Sequence, residues 1–185
     1  MVLGSSSPRR IRLLTELGLE FRQASPDIDE TRHTGEPPFE YAVRLARQKA
    51  GAIAAGAGEN EVVIGGDTVV VMEQDILDKP NSIEEAVRTL QTLSGEEHIV
   101  GTALALSTAN GVTVAGVEQT IVRFNDVSLE EIHEYVATGE PMDKAGAYGI
   151  QGMGAFLVDS LRGNLDNVIG LPRSLLDRLA GELGP

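Results

Sequence analysis

An α/β or α+β domain is the fold class this sequence predicts. Three observations lead there. Strand-like and helix-like segments alternate along all 185 residues, which favours helices packed on a sheet. Two segments open with a serine followed three residues later by glutamate, the signature of a helix start. Asn110-Gly111 sits between two long β-like runs and is a strong hairpin signal. No repeat, low-complexity tract or linker divides the chain, so residues 1–185 are expected to form a single domain, or two lobes sharing one core.

The elements follow in order. Val2 to Gly4 reads as a short strand. Ser7-Pro8 then places an N-cap before a proline at the first helical position. The helix it opens has Ile11, Leu14 and Leu17 as its expected apolar face and ends at Gly18. Glu20 to Ala24 is predicted as a strand, and residues 25–38 as a polar loop. From about Phe39, the residues Phe39, Ala42, Leu45 or Ala46, Lys49 and Ile53 recur at helical spacing. Glu61 to Met72 is the most β-like stretch, and its two glycines mark a place where something approaches the backbone closely. Ser82 to Glu85 is expected to be a capping box for a helix ending near Leu93. Two strands flank Asn110-Gly111. Ser128 to Glu131 is a second capping box, for a helix to about Ala137. A glycine-rich loop over 144–154, a strand from Ala155 to Leu161, a polar turn from Arg162 to Asn167 and a helix from Pro172 complete the chain.

Composition bounds the function. With 28 acidic and 15 basic residues the formal net charge is −13, and a net acidic surface repels a nucleic-acid backbone. There is no cysteine, which excludes disulfides and thiolate metal sites. No apolar run approaches a membrane span. The opening MVLGSSSPRR lacks a charged segment followed by an apolar one, so no secretory signal is expected and the expected location is cytoplasmic. The charge is uneven: residues 1–50 hold 8 of the 15 basic residues and 7 of the 28 acidic ones. Only three lysines occur, Lys49, Lys79 and Lys144.

Four constellations could carry chemistry. In Ser5-Ser6-Ser7-Pro8-Arg9-Arg10, a helix N-terminus and two forked cations suit an anion, whereas the plainer reading is an N-cap with solvated arginines. In Gly65-Gly66-Asp67-Thr68, a carboxylate inside an apolar strand needs a cation, a metal or water as partner. Asp67 is therefore a candidate general base or Mg²⁺ ligand, or else a turn residue capping local backbone. Lys79-Pro80 offers a point charge for phosphate but is commonplace alone. The loop from Gly139 to Gly152 has glycines at neither dinucleotide nor P-loop spacing. Within it, Gln151 carries the donor and acceptor that suit a nucleobase edge. His33, His98 and His133 show no metal-ligand spacing. His98 reads as a structural hydrogen-bonding residue and His133 as a solvated one.

Eight segments in order resemble the Maf family of nucleoside triphosphate pyrophosphatases: LGSSSPRR (3–10), DIDET (27–31), ARQKA (46–50), GGDTVV (65–70), LDKP (77–80), LSGEEHIV (93–100), GEPMDKAGAYGIQG (139–152) and NVIGLP (167–172). The wording KAGAYGIQG is similar to the subgroup acting on dTTP and UTP. The resemblance implies an α/β fold with a mixed, twisted sheet flanked by helices and a deep cleft between two lobes, similar to inosine triphosphate pyrophosphatases. It also implies cleavage between the α- and β-phosphates, with a divalent cation, Mg²⁺ or else Mn²⁺ or Co²⁺. By the same resemblance Asp67 is the proton acceptor, and Arg9, Thr68 and Gln151 are specificity positions. Ser5, Arg10, Lys49 and Lys79 contact phosphate, and Glu30 joins Asp67 near the metal. The implied partner is the nucleoside triphosphate itself, with neither a nucleic-acid polymer nor a membrane, and by analogy a homodimer. A role in restraining cell division is a further implication.

Two departures stand out. Gly4 replaces the more usual alanine, and Asp78 puts a carboxylate beside Lys79. Other readings are a nucleotide-binding regulator of septum formation with little catalysis, and a pyrophosphatase preferring CTP or another modified nucleotide.

Overall fold

The computed structural model describes residues 1–184. Its order is β1 (Val2–Gly4), α1 (Pro8–Glu16), β2 (Arg22–Gln23), α2 (Pro38–Ala54), β3 (Val62–Met72), β4 (Asp75–Ile76), α3 (Ile83–Leu93), β5 (Glu97–Thr108) and β6 (Thr113–Phe124). There follow α4 (Leu129–Ala137), three short 3₁₀ turns (Glu140–Asp143, Ala145–Ala147, Gly152–Leu157), β7 (Val158–Arg162), α5 (Leu165–Ile169) and α6 (Arg173–Leu183). The seven strands form one sheet in the order β2-β1-β3-β5-β6-β7, with β4 paired to β3. β1 runs parallel to both β2 and β3, while β4 is antiparallel to β3 and β7 to β6. The mixed α/β sheet of the sequence reading is therefore present.

The chain forms two compact units. The first comprises Met1–Thr68, Thr102–Glu118 and the segment from Gly170, and the second Val69–Gly101 and Gln119–Ile169. In the first, Leu3, Leu14, Leu45, Ile64 and Leu104 are among the fully buried side chains. Gly65 of β3 explains its own residue type. A Cβ there would lie 2.3 Å from the Ala46 carbonyl oxygen and 2.6 Å from the Ala50 nitrogen. The close approach read from the sequence is thus made by the α2 backbone, and any side chain at this position would push helix and strand apart. In the second unit Val70, Leu90, Leu93, Val122, Phe124, Ile132, Tyr135 and Leu157 belong to one apolar cluster. Within it the rings of His98, Phe124 and Tyr148 meet edge to face.

Each expected serine cap accepts its helix amide, whereas expected faces and boundaries hold only in part. Ser7 caps α1, its side chain accepting from the Arg10 amide, with proline at the helix start. The buried face of α1 is Arg10, Leu13 and Leu14 rather than Ile11, Leu14 and Leu17, because a buried guanidinium rotates the helix by about a residue. In α2 the buried stripe is Ala42, Leu45, Ala46, Ala50 and Ala54, with Phe39, Lys49 and Ile53 half-buried. Ser128 and Glu131 form the complete reciprocal box. At Ser82 only half forms: its hydroxyl accepts from the Glu85 amide, but the Glu85 carboxylate takes the amide and side chain of Asn81 instead. The strand expected over Glu20–Ala24 shrinks to Arg22–Gln23, and the one expected from Ala155 begins at Val158. The expected polar turn before Asn167 contains the start of α5. Asn167 is buried there and donates to the Val100 carbonyl and the Thr120 hydroxyl, both at 2.9 Å.

Candidate active site

The first unit holds two bonded groups, Ser5, Arg10 and Thr68 in one and Lys49, Asp67 and Glu30 in the other, which meet at the neighbouring residues Asp67 and Thr68. Arg10 centres the first. The guanidinium of this buried residue donates from Nε to the Gly170 carbonyl (2.9 Å), from Nη1 to Ser5 Oγ (3.2 Å) and from Nη2 to Thr68 Oγ1 (2.9 Å). Three fixed donors thereby tie the turn before α1, the end of the β3 motif and the NVIGLP segment together, which a flexible ammonium could not do. Burial lowers the Arg10 guanidinium below the usual arginine range, and the Asp67 charge partly restores it. Thr68 Oγ1 also hydrogen-bonds Thr102 Oγ1 at 2.9 Å. Its hydroxyl is therefore held from two sides.

Lys49 centres the second group. Its Nζ is 2.8 Å from Asp67 Oδ1 and 3.1 Å from Glu30 Oε1. Lys49 and Asp67 side chains are 11% and 15% exposed, and Glu30 is 56% exposed, so the pair is largely buried and Glu30 is open to solvent. Asp67 Oδ1 is taken by Lys49, while Oδ2 has no protein partner among the described residues yet still reaches solvent. A half-buried carboxylate with one oxygen anchored and one open is placed to accept a proton or to hold a cation.

Residues 25–37, which carry Glu30, are held by α2. Arg44 makes a two-pronged bond to Glu36 (2.6 and 2.8 Å) and donates to the Thr31 carbonyl (3.0 Å), while Tyr41 donates to the Glu30 carbonyl (2.9 Å). The Arg44 guanidinium holds the Glu36 carboxyl down at about 2. Tyr41 and Arg44 escaped the sequence reading. The two are three residues apart and so share one face of α2, and that pairing of a phenol with a guanidinium is the signal that could have found them.

The remaining residues divide as follows. Ser5 is buried, and its Oγ accepts from the Ser7 amide as well as from Arg10. Arg9 is half-buried at the start of α1. Lys79 and Gln151 belong to the second unit, where both are exposed. Lys144 spends its ammonium locally, on the Glu140 carbonyl (2.6 Å) and Asp143 (2.7 Å).

Among the described residues no three His, Asp or Glu side chains cluster as a closed metal cage. Asp67 and Glu30 nonetheless point an oxygen each at the same Lys49 nitrogen. Mg²⁺ takes one or two carboxylates plus substrate phosphates rather than an all-protein cage, so this donor pair fits such a cation.

The sequence of these segments matches the profile of Maf-like proteins over residues 1–183. The chain belongs to the Maf family. Within reach of that Maf assignment are the dTTP/UTP pyrophosphatase of Shewanella oneidensis, 47% identical over 191 residues covering 100% of this chain and 98% of that protein. The dTTP/UTP pyrophosphatase of a Geobacillus species is 47% identical over 184 residues, again covering 100% and 98%. Among solved structures, the Staphylococcus aureus Ham1 protein has a TM-score of 0.50 at 18% identity, covering 85% of this chain and 78% of that one. That likeness concerns the fold. No helix of the described residues in this Maf chain is long and apolar enough to cross a membrane.

Proposed function

We propose that this Maf chain is a nucleoside triphosphate pyrophosphatase that hydrolyses dTTP and UTP to the monophosphate and pyrophosphate. The observation that carries the reading is the Asp67–Lys49 pair, a carboxylate with one oxygen fixed and one open beside a cation of the right kind for phosphate. Asp67 Oδ2 takes the proton of the attacking water as it adds in line to the α-phosphorus. Lys49 and the amides at the start of α1 bind phosphate oxygens, where the helix dipole adds to their attraction. Arg10 keeps the phosphate role that the resemblance gives it and also holds Ser5 and Thr68. Asp67 and Glu30 would hold a divalent cation, which supplies charge neutralisation of the phosphates when bound. Arg9, Thr68 and Gln151 keep the base-selecting role, and Ser5 and Lys79 the phosphate role, that the resemblance gives them. Names of relatives 47% identical over the full chain support the substrate class.

The test is a pyrophosphate-release screen over standard and modified triphosphates with Mg²⁺, Mn²⁺ or Co²⁺. UTP and dTTP are expected as the best standard substrates. ATP as the single best substrate would overturn the pyrimidine assignment, and tight nucleotide binding without pyrophosphate release would replace the enzyme by a sensing protein.

A further inference from the structure

Glu140 opens the glycine-rich segment of the second unit, and nothing in the mechanism above uses it. Its carboxylate gathers the whole segment. Oε1 accepts from the Tyr135 hydroxyl at 3.0 Å and from the Gly154 amide at 3.2 Å, and Oε2 accepts from the Met153 amide at 3.1 Å. The Tyr135 hydroxyl in turn accepts from the Gly149 amide at 3.1 Å. The Glu140 carbonyl takes the Lys144 ammonium at 2.6 Å. Gly149, Met153 and Gly154 flank Gln151 on both sides, so the backbone before and after it is fixed by one carboxylate and the phenol it orients. The packing leaves no slack. A Cβ at Gly154 would lie 2.5 Å from the Gly149 carbonyl oxygen and 2.6 Å from the Tyr135 hydroxyl.

From this geometry we infer that Glu140 is a positioning residue for nucleobase selection, clamping the loop 149–154 so that Gln151 meets the base in one orientation. The inference rests on the base-selecting role proposed for Gln151. Backbone amides are an apt means of doing this. A carboxylate accepts several N–H bonds at once, and such charge-assisted bonds are stronger than neutral ones. Preorganised polar groups discriminate between ligands because a misplaced donor or acceptor leaves a partner unpaired. Tyr135 is buried at the centre of the clamp, and burial first, then the bond to Glu140, holds its phenol above the ordinary tyrosine range. The hydroxyl keeps its proton and bridges Gly149 to Glu140.

Glu140→Gln keeps the shape but presents an amide nitrogen to a loop amide, setting two donors face to face. Hydrogen exchange of the Gly149, Met153 and Gly154 amides is expected to quicken by about tenfold in this variant. For UTP and dTTP, KM is expected to rise by about tenfold with kcat changed by less than about threefold. The rise should vanish in a Gln151→Ala background, because two residues acting through one contact are not additive. Tyr135→Phe, which removes only the bridge, should shift KM in the same direction by a smaller factor and serves if Glu140→Gln does not fold.

Unchanged amide exchange, or a KM rise that persists in full without Gln151, overturns the inference. If Gln151→Ala itself leaves KM untouched, the base-selecting role falls first, and amide exchange still decides whether Glu140 clamps the loop.

Discussion

Two polar atoms, one in each unit, have no hydrogen-bond partner among the described residues, and they have opposite consequences. In the first unit it is Asp67 Oδ2, whose sister oxygen is anchored on Lys49 while it reaches solvent. In the second it is His98 Nδ1, sealed inside the ring cluster without a hydrogen-bond partner, although Nε2 bonds the Tyr148 hydroxyl at 2.8 Å. An unspent atom that solvent can reach is a reagent. One that is enclosed is a stability liability at the wrong pH. The supports differ too. Arg10 and Lys49 brace the first site with cations, whereas the second unit braces its loop with a carboxylate on backbone amides.

The largest expected effect attacks the open atom. Asp67→Asn should lower UTP and dTTP turnover by about a thousandfold while thermal unfolding still shows a folded protein. Near-normal pyrophosphate release from a folded variant would end the contrast between the two atoms. Next comes the strand that presents Asp67. Gly65→Ala forces a methyl into the α2 backbone and should destabilise by about 3 kcal/mol or more, read from the urea midpoint.

The enclosed atom is tested by pH. Burial lowers His98 from the usual histidine range to about 4. The unfolded chain then binds a proton there that the folded chain refuses. Stability is therefore full above about pH 6.5 and falls as pH drops towards about 4, by about 3 kcal/mol in all. Urea unfolding across that window should show the slope, and His98→Gln should flatten it. An equally steep slope in the variant would assign the acid sensitivity elsewhere. Smallest is Arg10→Lys, which cannot reproduce the three-way fork and should cost about 2 kcal/mol. A variant as stable as the parent in urea would show that the brace contributes little.

Much of this was legible in the sequence, for reasons that particular residues make plain. Ser7-Pro8, Ser128 with Glu131, and Asn110-Gly111 are local signals, because a cap or tight turn is satisfied within a few residues. Asp67 was legible as a misfit, a charge among valines that had to have a partner. That Lys49 is the partner was not, since 18 residues and a turn separate them. Arg10 misled the helix reading. Hydrophobic periodicity assumes that arginine faces water, and here its acceptors, Gly170 and Thr68, come from distant segments. The role of Glu140 was not legible, because two of its partners are backbone amides, which leave no pattern in side-chain chemistry.

By itself, then, the sequence determined the alternation of strands and helices, their caps, the acidic exterior and the ordered motifs that mark the family. Each of these depends on residues near one another in the chain or on composition. Only the tertiary structure decided which cation meets Asp67, why Gly65 tolerates no side chain and which carboxylate holds the loop around Gln151. Those are pairings between segments far apart in sequence, and burial, which sets their strength, exists only once the chain has folded.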